Sequence, residues 1–231
     1  MKVQYKVIRK KGLRRVSLRV KDDKSIVVTA PYSVSDNVIK NFVESKVNWI
    51  KKRVDEIELL VPPLAEHTYQ EGDQFMVLGK MVTLFLIKRK SSAEKSTLNN
   101  ERLLIVVTER QNKKEIKAEI YRWYKEYAEF LYKELVEKWA TKLNIKKQIP
   151  LKIVMFPKRM GSCSINGELR FSIKSIMLPF EVVDYLALHE VAHLIHFNHA
   201  KEFKAILDQE MIEWKNCQKE MNRYRLVTAK L

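Results

Sequence analysis

The chain has 231 residues, 46% hydrophobic and 10% aromatic, which is enough apolar surface for one large or two small domains and too much for wholesale disorder. With Gly 5 and Pro 6 it is neither collagen-like nor linker-like, and no apolar run approaches the roughly 18 residues that a bilayer crossing requires. Lys+Arg 44 against Asp+Glu 28 leave +16, a charge that attracts phosphate or acidic partners without identifying one.

Residues 1–21 hold Lys2, Lys6, Arg9, Lys10, Lys11, Arg14, Arg15, Arg19 and Lys21 and no acid. This run is either a solvated face of a small β-structure or a surface for nucleic acid or phosphate. The first residues lack the apolar stretch and small-residue cleavage site of a secretory signal, and Cys163 and Cys217 provide no disulfide framework, so a cytoplasmic, membrane-free protein is expected. Alternation at Val3, Tyr5, Val7, then Val16, Leu18, Val20, then Ile26, Val27, Val28 predicts a three-stranded antiparallel meander, punctuated at Lys11-Gly12 and Asp22-Asp23. Ser33 or Ser35 can cap a helix carrying Val38, Ile39, Phe42 and Val43, and a second helix carries Val47, Trp49, Ile50, Val54 and Ile57 until Pro62-Pro63 ends it. Strands follow at 75–78, 82–87 and 103–107, with a turn at Gly79-Lys80 and Ser91 to Asn100 as a polar loop. From Lys113 to about Leu143, apolar residues at Ile116, Ile120, Trp123, Tyr127, Leu131, Leu135 and Trp139 predict one long amphipathic helix. Strands at 152–156 and 169–173 then flank a Gly161-Ser162-Cys163-Ser164 loop and an Asn166-Gly167 hairpin turn, and Pro179 opens another helix.

That last helix carries the chemistry, in LALHEVAHLIHFNHAKEF. His189 and His193 are four residues apart, which on a helix puts them about 40° and about 6 Å apart, within reach of one metal ion. Glu190 stands beside them, placed to take a proton from a metal-bound water. The rest of the helix is apolar, so a metal would compensate the polar groups it buries; the alternative is a set of satisfied core histidines. A catalytic zinc needs a third protein ligand. His196 lies about 10 Å further along the axis from His189, too far for both to meet one ion. His199 is better placed, if the helix stops around Phe197 and Asn198 turns the chain back in the left-handed conformation. The spacing His189-Glu190-x-x-His193-x5-His199 matches the ligand spacing of the metzincin pattern, with His196 at the place of its glycine. Cys163 is a conceivable fourth ligand, against the simpler reading of a buried, inert thiol.

The segments RRVSLRV, APYSVSDNVIKNFVESKVNWIKKRV, GDQFMVLGK and RMGSCSINGELRFSIKSIMLPFEVVDYLALHEVAHLIHFNHAKEF resemble the YgjP-like metallopeptidase-domain family, a relative of SprT-like zincins. The resemblance implies a zinc-dependent hydrolase in which His189, His193 and His199 match the metal ligands and Glu190 the general base. It also implies that Arg159, Gly161, Ser162 and Cys163 match a loop near the active site. Met160 stands where the family usually has Trp, and Lys204 follows Phe203 where a second aromatic is common.

The fold expected is α+β: a basic β-rich region with two helices over residues 1–110, then a zincin-like metal-binding domain over 111–231 whose long helix packs behind the one bearing His189. The function expected is that of a metallopeptidase holding one Zn2+ per chain and acting on peptide or protein, with Tyr185, Arg159, His196 and Tyr224 as candidates for stabilising the oxyanion. The alternatives are a metal-dependent nucleoside triphosphate hydrolase, although the 161–164 loop lacks a P-loop lysine, and a zinc-stabilised nucleic-acid-binding module.

Overall fold

The computed structural model describes residues 3–89, 91, 93–108 and 112–228, and the chain divides into two units, Met1–Leu60 and Val61–Leu231. No helix among the described residues is long and apolar enough to cross a membrane.

The first unit contains strands β1 (Lys6–Lys10), β2 (Ser17–Val20) and β3 (Ile26–Pro31), followed by helices α1 (Asp36–Ser45) and α2 (Val47–Glu58). The expected meander is corrected here. The strand order is β1-β3-β2, with β1 parallel to β3 and β2 antiparallel to it. The most apolar strand takes the centre, where Val28 and Ala30 are fully buried, and the link after β1 crosses to the far edge to leave room for it. Ile39, Val43, Ile50 and Ile57 form the buried faces of the two helices, whereas Trp49 is exposed. Within the basic run, Arg9 is structural: its guanidinium donates to the carbonyls of Pro31 (3.1 Å) and Val34 (2.6 Å) and pairs with Asp36 at 2.6 Å. Lys2 lies outside the described residues.

The second unit begins with a sheet of β4 (Gln74–Val77), β5 (Lys80–Lys88), β6 (Thr97–Asn99) and β7 (Arg102–Val107), in the order β4-β5-β7-β6. Leu78 and Gly79, at φ 47 and 76, close the β4–β5 hairpin with the two left-handed residues that match strand twist. A side chain at Gly79 would also come within 3.0 Å of the Pro179 backbone. Strand β6 occupies part of the segment expected as loop, because Asn100 at φ 53 turns it back onto β7. Helix α3 (Lys113–Lys142) starts in a capping box, in which the Asn112 side chain accepts from the backbone N–H of Glu115 while Glu115 accepts from that of Asn112. Strands β8 (Leu151–Val154), β9 (Gly161–Cys163) and β10 (Leu169–Ser172) form a sheet in the order β8-β10-β9, with β9 and β10 as the hairpin and β8 parallel to β10. A 3-10 helix (Ile173–Met177) leads into α4 (Phe180–Ala192), α5 (Lys201–Glu210), α6 (Trp214–Arg223) and α7 (Arg225–Thr228).

One core joins these elements: Leu84, Leu103 and Ile105 of the first sheet, Ile120 and Tyr124 of α3, and Val183 and Leu188 of α4 belong to the same buried cluster. A boundary at residue 110 would cut through this core, so the strands expected in the N-terminal region belong with α4 instead. Helix α3 packs behind α4 as expected. The buried Asp184 carboxylate accepts from Trp139 Nε1 and Lys138 Nζ, both at 2.7 Å, which satisfies a charge that would otherwise be costly to bury. Tyr132 stacks on Phe171 of β10 at 3.8 Å and donates to Ser175 Oγ at 2.6 Å. These contacts fix α4 and β10 against one rigid helix.

Candidate metal centre

Helix α4 has no continuous polar face, which marks a helix buried within a core, and every residue from Val182 to Leu188 is buried, Asp184 included. Its last turn is where polar groups accumulate. Regular α4 ends at Ala192, earlier than expected, and tight turns carry the chain through His196. Asn198 is not left-handed; its side-chain oxygen accepts from the backbone N–H of Ala200 at 3.1 Å, an Asx turn that redirects the chain into α5. The expected return of His199 is therefore achieved by a side chain rather than by a left-handed backbone.

The return brings a ligand nitrogen from each of His189, His193 and His199 to within 4.8 Å of one another. His199 Nε2 lies 3.1 Å from His189 Nε2. Two nitrogens bound tetrahedrally to one ion at 2.0–2.1 Å stand about 3.3 Å apart, so the spacing fits a shared ion. Without an ion the same approach is an N–H···N hydrogen bond, with one of the two rings protonated at Nε2. The remaining ring nitrogens support the same arrangement: His193 Nδ1 lies 3.0 Å from the carbonyl of His196, and His189 Nδ1 3.3 Å from the Tyr185 hydroxyl. Tautomers protonated at Nδ1 satisfy both contacts and leave Nε2 for the ion. His196 thus contributes its backbone oxygen rather than its ring. Beneath the cluster, the buried Phe203 ring packs against all three imidazoles at 4.5–5.0 Å.

Burial, reinforced by His193 and His199, pulls His189 down to about 4, and burial lowers His193 as well. Both rings therefore remain neutral at physiological pH, the form that ligates metal. Glu190 is 4% exposed, and burial pushes its carboxyl up to about 8, opposed by Arg159. It is covered by β9. A Cβ on Gly161 would fall 2.4 Å from Glu190 Oε1 and 2.9 Å from Cδ and Cγ, so only glycine permits this approach. The segment expected as a loop is in fact this strand: Gly161, Ser162 and Cys163 pair with Phe171, Arg170 and Leu169 of β10.

The YgjP-like metallopeptidase domain model matches residues 14–224. The chain belongs to the YgjP-like metallopeptidase family. It is accordingly a metallopeptidase-like hydrolase, and its three-histidine cluster can hold the metal ion such an enzyme uses. Two solved structures are similar to it in part. The metallopeptidase zymogen jannalysin of Methanocaldococcus jannaschii is 22% identical over 40% of this chain and 94% of its own, with a TM-score of 0.37. The metallopeptidase zymogen abylysin of Pyrococcus abyssi is 17% identical over 42% of this chain and 96% of its own, with a TM-score of 0.39. No curated protein matches the chain.

In this YgjP-like protein His189 and His199 open onto a cleft of about 520 Å3, whose lining also includes Arg159, Met160, Gly161, Tyr185 and Glu190. Met160 therefore stands in the cleft wall, while Lys204 is exposed on α5. Of the oxyanion candidates, Tyr185 and Arg159 reach the cleft; His196 and Tyr224 are not among its lining residues. Tyr185 is pushed up to about 12, chiefly by burial, so its hydroxyl stays protonated. Ser162 and Cys163 sit further along β9, outside the lining. Cys163 lies outside the histidine cluster, and burial and then Glu190 raise its thiol, which agrees with an inert cysteine. The opposite wall, Gln218, Met221 and Asn222 of α6 with Arg225 of α7, was not anticipated. Its only signal in the sequence is the i, i+3, i+4, i+7 spacing of these four residues.

Proposed function

We propose that the protein is a zinc-dependent peptidase with a zincin-like centre, in which His189, His193 and His199 hold one Zn2+ and Glu190 is the general base. The observation that carries this reading is the 3.1 Å approach of His199 to His189 beside a buried carboxyl. Three imidazoles suit zinc and leave a fourth position open, as in catalytic rather than structural sites. Zinc bound there supplies a Lewis acid for the scissile carbonyl and acidifies a coordinated water to a pKa of about 7.

The chain's own residues do the rest. Burial alone favours protonated Glu190 at neutral pH, and a dication held by the adjacent His189 and by His193 would favour the ionised form that a base requires. Its carboxylate takes the proton of the attacking water and returns it to the leaving amine. Gly161 holds the carboxylate in place from above, and the Arg159 guanidinium or the Tyr185 hydroxyl meets the negative charge that develops on the carbonyl oxygen. Strand β9 is terminal in its sheet, so an extended peptide added along it passes Gly161 and Glu190. A triphosphate-hydrolase reading draws nothing from residues 161–163, which form a strand rather than a phosphate-cradling loop.

Glu190→Gln tests the proposal. The amide still hydrogen-bonds water but accepts no proton, so zinc content stays at one per chain while peptide hydrolysis falls about 100- to 10,000-fold. Wild-type turnover by this variant would reject Glu190 as the base.

A further inference from the structure

We propose that the N-terminal unit carries a site for single-stranded nucleic acid between β2 and α2, with a base stacked on Trp49 and phosphates held by Arg19 and Lys52. Trp49, Lys52, Arg53 and Glu56 follow one another at i, i+3, i+4 and i+7, which makes them one face of α2. That face and Leu18, Arg19 and Val20 of β2 line an open pocket of about 480 Å3. A second hollow of about 600 Å3 shares Arg19, Val20 and Arg53 and continues past Lys21, Asp22 and Asp23.

The tryptophan is the decisive feature. Trp123, Trp139 and Trp214 are 6%, 2% and 7% exposed, whereas Trp49 is 47% exposed and stands in a pocket beside cations. An indole face flanked by basic side chains is the pairing that single-strand-binding proteins use: stacking for the base, charge for the backbone. Arg53 is engaged by Glu56 at 2.6 Å, which leaves the exposed Arg19 and Lys52 to meet phosphates on either side of the ring. The surroundings favour a strand over one nucleotide. Residues 1–60 hold fifteen Lys and Arg against seven Asp and Glu, a net +8, and the second hollow, of mixed charge with Lys21 beside Asp22 and Asp23, continues the groove beyond the space of one base. A duplex keeps its base faces stacked inside, and an acidic peptide has no flat ring to offer, so neither uses Trp49.

Fluorescence of the full-length protein titrated with oligo(dT) of about twelve nucleotides tests this, since a base on Trp49 quenches the exposed tryptophan. Quenching is expected, with affinity falling as salt rises by about 0.7 log units per log unit of salt for each phosphate contact. Trp49→Ala weakens binding about 5- to 150-fold, the range of one stacked base, and Trp49→Phe retains most of it. Arg19→Glu with Lys52→Glu flattens the salt dependence and leaves the far-UV circular dichroism and the protease resistance of residues 1–60 unchanged, which reports intact folding of that unit. The proposal is overturned by wild-type affinity in folded Trp49→Ala, which would place binding on Lys10 to Arg15 alone. Thymidine monophosphate or polyglutamate binding as tightly as the oligonucleotide overturns it equally, as does an absence of binding at about 0.1 M salt.

Discussion

Gly161→Ala perturbs the proposed base without touching a ligand. The added Cβ would stand 2.4 Å from Glu190 Oε1, where ordinary contact begins at 3.4 Å, so the carboxylate must retreat by about 1 Å. Gly161 does not have the positive φ that L side chains rarely adopt, so alanine fits the backbone and the damage comes from the contact alone. The three nearest atoms are all from Glu190, which leaves the histidines in place. A misplacement of about 1 Å at a reacting group costs about 100-fold, and overpacking a tight site costs about 1–3 kcal/mol of stability. We therefore expect Gly161→Ala to bind one zinc and unfold at moderately lower denaturant, with kcat/KM on an unfolded-protein substrate down about 100-fold and KM little changed. Paired with Glu190→Gln it should add almost nothing, because both changes remove the same function. The reasoning is refuted by a zinc-loaded Gly161→Ala enzyme within about twofold of wild type, or by additive losses in the double variant.

His193→Ala and His199→Ala should each lose zinc by metal analysis, whereas His196→Ala should keep it, because the His196 carbonyl and not its ring meets His193; equal losses in all three would reject His199 as the third ligand. The zinc-free protein should show an opposed pair of pH effects in denaturant titrations. Glu190, raised from 4.5 to about 8, holds a proton in the native state that the unfolded chain releases, so stability falls by up to a few kcal/mol as pH rises through that window. His189, lowered from 6.5 to about 4, refuses a proton that the unfolded chain accepts, so stability also falls as pH drops through that lower window. Glu190→Gln should abolish only the loss that accompanies rising pH between 4.5 and about 8, and an unchanged loss there in that variant would place its origin elsewhere.

The residues close in sequence were the most legible. His189, Glu190, His193 and His199 lie on one helix and one short turn, so spacing alone brought them together, although it misjudged how the turn is made. Gly161 and Arg159 entered only through resemblance, because their approach to Glu190 depends on a hairpin about thirty residues upstream that spacing cannot dock. Helix α3 was legible as a helix and less so in its buried face. The spacing picked Ile116, Tyr127 and Leu131, which are partly buried, and passed over Tyr124, Ala128 and Tyr132, which are fully buried. A small residue and two hydroxyl-bearing rings do not stand out as core until Met76 O and Ser175 Oγ are seen to accept their hydrogens. Strand pairing was the least legible. Alternation identifies β1, β2 and β3, but their order is set by which strand buries Val28 and Ala30, a property of the assembled sheet. The wall from α6 stayed hidden because its strongly polar sequence resembles a solvated helix until it is packed beside the cleft.

Diffraction from zinc-loaded crystals on both sides of the zinc absorption edge tests the centre most directly. One anomalous peak per chain is expected, 2.0–2.1 Å from a ring nitrogen of each of His189, His193 and His199, with Glu190 beside it and outside bonding distance. A peak bound instead by the His196 ring or Cys163, or a closed site with four protein ligands, would contradict it.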